Sequence, residues 1–117
     1  MQFSDSNGIS GIFFSQAHPG EFLTANIMDL SIGGMGIIFK EDFSGRLNRG
    51  DILILSEILH MQSLGFMKNI KMEIRWAGFH PSGQFEVGCE FFEISADCAE
   101  KLKKVLDSWK IRIILNP

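Results

Sequence analysis

Only two of the 117 residues are cysteine, Cys89 and Cys98, and neither belongs to a C-x-x-C pair or sits near a histidine at metal-ligand spacing. That excludes a disulfide framework, and two buried free thiols in a reduced, intracellular protein are the expectation. Apolar runs are short, and none approaches the eighteen or so residues that span a bilayer. The opening MQFSDSNGIS has neither the basic start nor the hydrophobic stretch of a secretory signal, so a cytoplasmic protein is expected. Catalytic signatures are missing as well. No H-E-x-x-H or G-x-S-x-G occurs, and no Gly-Lys-Ser/Thr follows the glycines at 33, 34 and 36. A dinucleotide fingerprint fails because its third glycine falls on Phe39. The histidines, His18, His60 and His80, are scattered, and two of them directly precede prolines in turns. An enzyme is not expected.

Positive charge is absent from one third of the chain. Residues 1–39 contain no Lys or Arg and three acids, Asp5, Glu21 and Asp29, while all eleven basic residues lie between 40 and 117. The net charge of -3 argues against a nucleic-acid polymer as partner, since such binding needs clustered basic charge on one face. What remains is ordinary globular composition, 45% hydrophobic and 21% charged, in a length that suits one domain over residues 1–117 with its own core.

The patterning is mostly that of strands. Residues 9–16 are apolar enough for a strand, and His18-Pro19-Gly20 reads as a turn. From Phe22 to Asp29 the chain alternates, with Leu23, Ala25 and Ile27 on one face. Residues 29–36, DLSIGGMG, read as a glycine-rich loop, and 36–40 as a short third strand. Residues 40–50 read as a charged surface loop, and Asp51 to Leu55 as a fourth strand. The segment 56–66 fits a strand extension, a helical turn or a loop. From Asn69 the alternation predicts Ile70, Met72, Ile74 and Trp76 on one face, and after HPSG at 80–83 the strand 84–92 returns. Short connections among these strands predict an antiparallel sheet closed into a barrel. Only the C-terminal part has helical period. Ser95 is the predicted N-cap, Asp97 suits the positive end of the dipole, and Leu102, Val105, Leu106 and Trp109 form the apolar stripe. IRIIL at 111–115 reads as a last strand or as a contact with a missing neighbour.

One constellation stands out. Asp29, Ser31 and Gly34 form D-x-S-x-x-G between two strands. As plain structure, Asp and Ser would cap backbone N–H groups while the glycines permit positive φ. As a site, carboxylate and hydroxyl would present hydrogen bonds while the glycines let a flat ligand approach the backbone.

With this motif the sequence resembles a PilZ domain. The likeness runs over nearly the whole chain: a hairpin, then NIMDLSIGGMGIIF, GDILIL, IRWAGF, FEVGCEFFEIS and a closing helix. The resemblance implies a mainly β fold, a six-stranded antiparallel barrel with a C-terminal α-helix. It also implies a bacterial receptor for cyclic di-GMP that passes its signal on through protein contacts, with no cofactor. Carried over by position, the ligand-binding residues are Asp29, Ser31 and Gly34, with Gly33 as neighbour.

The family's second motif, R-x-x-x-R, lies just before the first strand and clamps the nucleotide. Arginine suits that task because it binds phosphate bidentately, reads guanine edges and stacks on the base. Here the corresponding stretch, MQFSDS, holds no arginine, and the first basic residue is Lys40. Arg46 and Arg49, spaced R-x-x-R after the loop, are the candidate replacement clamp. Two lost charge-assisted contacts at roughly 1.5–3 kcal/mol each weaken binding on the order of a hundredfold to ten-thousandfold. The expectation is a non-enzymatic regulatory domain in cyclic di-GMP signalling, controlling motility or surface attachment. It would bind the nucleotide weakly or not at all and act on a protein partner or neighbouring domain through an apolar patch at 109–115 or 56–66. The alternative is a competent receptor whose clamp lies upstream of this chain, comes from a partner or is supplied by Arg46 and Arg49.

Overall fold

The structure is a computed structural model that describes the backbone of residues 9–115 and the side chains of residues 9–109. Six strands follow in chain order: β1 (Ile9–Ser15), β2 (Leu23–Leu30), β3 (Gly34–Phe39), β4 (Ile52–Leu59), β5 (Ile70–Phe79) and β6 (Phe85–Glu93). They pair antiparallel in the closed order β1-β2-β3-β6-β5-β4, so no strand edge is left unpaired. One helix follows, α1 (Ala96–Leu115). The expected six-stranded barrel with a C-terminal helix is the observed fold.

Alternation builds the core. Ile9 and Phe13 of β1, Ala25 and Ile27 of β2, Met35, Ile37 and Phe39 of β3, and Phe85, Val87 and Cys89 of β6 point inward. Leu53, Leu55, Ile70, Met72 and Ile74 complete the barrel lining. The loop at 40–50 is more than surface, because Phe43 and Leu47 are buried and Phe43 packs edge-on against Phe39 with ring centroids 5.1 Å apart. Helix α1 contributes Leu102 and Leu106 to the same core, as its stripe predicts. Its N-terminus is capped by Ser95, whose Oγ accepts the Cys98 N–H at 3.1 Å.

Four expectations are corrected. The loop proposed for 29–36 shrinks to residues 31–33, because β2 runs to Leu30 and β3 starts at Gly34. Segment 56–66 extends β4 to Leu59 and then forms a 3-10 turn, Gln62–Leu64. Ile58 and Leu64 are buried and Met61 and Phe66 pack against the core, so this segment offers no exposed apolar patch. IRIIL is not a last strand, since the backbone of α1 continues through Leu115; its side chains, and the MQFSDS stretch, lie outside the described residues. Finally, Trp76 does not share the inward face of Ile70, Met72 and Ile74, and its side is 48% exposed. The cause is a bulge.

Candidate functional site

Two β-bulges aim the side chains of one outer face. In β2 the pairing runs Ile27 to Ile37 and then Asp29 to Gly36, leaving Met28 as the extra residue. Strict alternation from Ala25 and Ile27 would turn Asp29 into the barrel. The bulge turns it outward and returns Leu30 to the core instead. In β5 the pairing runs Ile74 to Cys89 and then Trp76 to Gly88, leaving Arg75 as the extra residue. Arg75 and Trp76 therefore both reach the outside, although they are consecutive.

Between them lies an open groove of about 310 Å³ lined by the D-x-S-x-x-G residues together with Arg75, Trp76 and Glu90. The floor of that groove is glycine, and the reason is space. None of Gly33, Gly34 and Gly36 has positive φ; among the described glycines only Gly45, Gly50 and Gly83 do. A methyl at Gly34 would overlap the Cys89 carbonyl oxygen, because β3 and β6 approach too closely there for a side chain. A methyl at Gly36 would sit 2.8 Å from Asp29 Oδ2, and one at Gly88 would overlap the Trp76 indole, which lies on that glycine. Gly33 has open space around it.

The polar residues of the motif first serve the turn. Asp29 Oδ1 accepts the Gly36 N–H at 2.8 Å, which ties the end of β2 to β3. The Ser31 N–H donates to the Gly34 carbonyl at 2.9 Å, closing a tight turn, and Ser31 Oγ accepts the Gly33 N–H at 3.3 Å. The Phe91 N–H then donates to the Gly33 carbonyl at 2.8 Å and anchors the turn to β6. Asp29, Ser31, Gly33 and Gly34 are thus brought together as the sequence motif places them.

Arg46 and Arg49 are not brought to them. Arg46 donates to Glu21 at 2.7 Å and lies over the Phe43 ring, beside the start of β2. That is the opposite end of a strand whose seven steps span roughly 23 Å. Arg49 is exposed and does not line the groove.

The cation inside the groove is Arg75, which pattern reading missed because its strand looked regular. Its Nη1 donates to Glu73 Oε2, and its Nε lies 3.3 Å from Glu90 Oε2. The Glu73 hydrogen bond first, and then the charge of Glu90, raise the guanidinium pKa above its ordinary value. The groove lining itself sets two carboxylates, Asp29 and Glu90, against this one guanidinium. Cys89 also belongs to the lining, but its thiol is buried and pushed up to about 12 by desolvation. Among the described residues no cluster of three or more His, Cys, Asp or Glu could hold a metal ion, and no helix is long and apolar enough to cross a membrane.

Solved structures carry the same fold. The PilZ domain of YcgR from Escherichia coli, determined with c-di-GMP, superposes with a TM-score of 0.71 at 12% identity, covering 97% of this chain and 89% of that one. MrkH of K. pneumonia in its apo state gives 0.74 at 12% identity, over 100% of this chain and 53% of that one. The Bacillus subtilis inhibitor of motility, MotI/DgrA, gives 0.65 at 16% identity, over 90% and 47%. The chain thus spans about half the length of MrkH and MotI. No curated protein matches it by sequence. The family model described as PilZ domain matches residues 12–108, which covers every strand from β2 to β6 and most of α1. The chain belongs to the PilZ domain family.

Proposed function

We propose that this chain is a non-enzymatic, cytoplasmic regulatory domain of bacterial cyclic di-GMP signalling, acting by contact with a protein partner or neighbouring domain in the control of motility or surface attachment. In this reading Asp29, Ser31, Gly33 and Gly34 form the nucleotide side of the groove, and the groove by itself holds cyclic di-GMP weakly or not at all.

The observation that carries the weak-binding half is electrostatic. A ligand with two phosphates enters a groove whose only lining cation among the described residues, Arg75, is already engaged by Glu73 and Glu90, with the Asp29 carboxylate also in the lining. Of the two candidate replacement arginines, Arg46 is engaged by Glu21 at the far end of β2 and Arg49 does not line the groove. A groove of this sign repels a dianion where the family's arginines would attract one.

The second reading, a receptor completed by arginines from outside this chain or by Arg46 and Arg49, is favoured by one observation. The D-x-S-x-x-G turn is fully formed, with its glycine floor clear. Calorimetric titration with cyclic di-GMP at physiological salt decides between them. Absence of saturable heat up to high micromolar ligand supports the contact module, and binding in the low-micromolar range or tighter overturns it.

A further inference from the structure

Resting on that reading of the groove, we propose that Arg75 is this chain's own phosphate-holding residue for cyclic di-GMP, and that Glu73 and Glu90 set its affinity by occupying the guanidinium. The two carboxylates act as built-in competitors for the ligand.

The backbone supplies the first reason. Arg75 faces outward by the alternation of β5, and as the unpaired residue of the bulge it stands beside Trp76 on the same outer face, in the lining of the groove. It lines the same groove as the four D-x-S-x-x-G positions, which Arg46 and Arg49 do not. Chemistry supplies the second. A guanidinium presents five donors in a planar fork that matches a phosphate as well as it matches a carboxylate. Glu73 takes Nη1 and Glu90 faces Nε, so the fork is held from two sides by groups that mimic the ligand's own oxygens. A phosphate arriving in the groove must displace at least one carboxylate and then remain beside its charge.

The third reason is that this arrangement is not needed for the barrel. Arg75, Glu73 and Glu90 have side chains 53%, 31% and 59% exposed, and ion pairs of that kind contribute little to stability. Neighbouring Lys71 and Glu93 form a separate pair at 3.7 Å and do not line the groove.

The test is calorimetric titration of cyclic di-GMP into four proteins at one salt concentration, each checked by melting temperature. These are the wild type, the E73Q/E90Q double variant, that double variant with Arg75→Ala added, and an E86Q control. Glu86 lies on the same strand and face as Glu90 but outside the groove. The double variant should bind at least about tenfold more tightly than the wild type, the scale of one charge-assisted contact regained. Adding Arg75→Ala should erase that gain, and E86Q should leave binding unchanged. No gain in the double variant, or no measurable binding by it, overturns the proposal and leaves the contact-module reading standing. A gain that survives Arg75→Ala also overturns it, because the effect is then one of overall charge. Tight binding by the wild type sinks the weak-binding reading instead, and the comparison among variants still judges Arg75.

Discussion

Replacing each glycine of the 33–36 turn by alanine separates two reasons for having glycine there. If these glycines served a left-handed turn, Gly33, the most exposed of them, would be the costly one to replace. The structure orders them differently. At Gly34 an added methyl would overlap the Cys89 carbonyl oxygen and lie 2.9 Å from its carbon and 3.0 Å from Glu90 Cα. All three are backbone of the adjoining strand, so no side chain can move aside, and β3 and β6 must part. Overpacking of this kind costs about 3 kcal/mol or more, which in a domain of this size lowers the melting temperature by roughly 10 °C or more. At Gly36 the obstacle is the Asp29 carboxylate at 2.8 Å, which can rotate but then strains its bond to the Gly36 N–H, at about 1 kcal/mol. At Gly33 the nearest atom is Ser31 Oγ at 4.0 Å and φ is not positive, so alanine fits. Its effect lies within about 1 kcal/mol and on the stabilising side, because it reduces the entropy of the unfolded chain. Urea unfolding of the three variants, compared at unchanged m, measures this order directly. Finding Gly33→Ala as damaging as Gly34→Ala, or Gly34→Ala neutral, would refute the close-approach argument.

Three further outcomes follow from the same structure. Burial raises the Cys89 thiol from its ordinary 9.0 to about 12, so its contribution is intact below pH 9 and is lost as pH rises toward 12, by at most about 1.4 kcal/mol per pH unit. A Cys89→Ala variant should therefore lose stability less steeply than the wild type between those limits, and native Cys89 should resist alkylation at pH 8; parallel stability curves would show the reasoning wrong. Gly88→Ala should push the Trp76 ring off its glycine, red-shifting its fluorescence and increasing acrylamide quenching in a Trp109→Phe background, at a cost of about 1 kcal/mol because the half-exposed ring can swing away. An unchanged spectrum would mean that the ring does not rest there. The R46A/R49A double variant should change cyclic di-GMP binding by less than about twofold and stability by less than about 1 kcal/mol, since the Arg46–Glu21 pair is exposed and distant from the groove. A clear loss of binding would restore that pair as the replacement clamp.

The barrel was readable because its cause is local. Each strand carries its own two-residue alternation, and the positions it assigns to the interior, such as Ala25, Ile27, Met72 and Ile74, are buried. The helix was readable for the same reason, from Ser95 as cap and from Leu102 and Leu106 at helical spacing. Segment 56–66 was not, because Leu64 owes its burial to the shared core and to the contact of its turn with α1 rather than to any period of its own. The short turn at 31–33 was hidden because glycine reads as loop whether it supplies φ freedom or only removes a side chain, and here it does the latter.

The groove was half legible, and the missing half shows where single-strand reasoning ends. A bulge is a property of a pair: Met28 becomes the extra residue of β2 only against the register of β3, and Arg75 of β5 only against that of β6. Each bulge moves the following residue to the other face, so alternation misplaces Asp29 and Trp76, which line the groove, while placing correctly the residues that only fill the core. Trp76 is the example, assigned inward by period and found outward on Gly88. Arg75 is the consequence, since a charged residue at an outward position of a regular strand attracts no notice. Only the register sets it beside Asp29 and Glu90. The electrostatic sign of the groove, on which the proposed nucleotide affinity turns, is therefore decided by residues 46 and 61 positions after the motif's aspartate in sequence and brought to it by strand pairing alone.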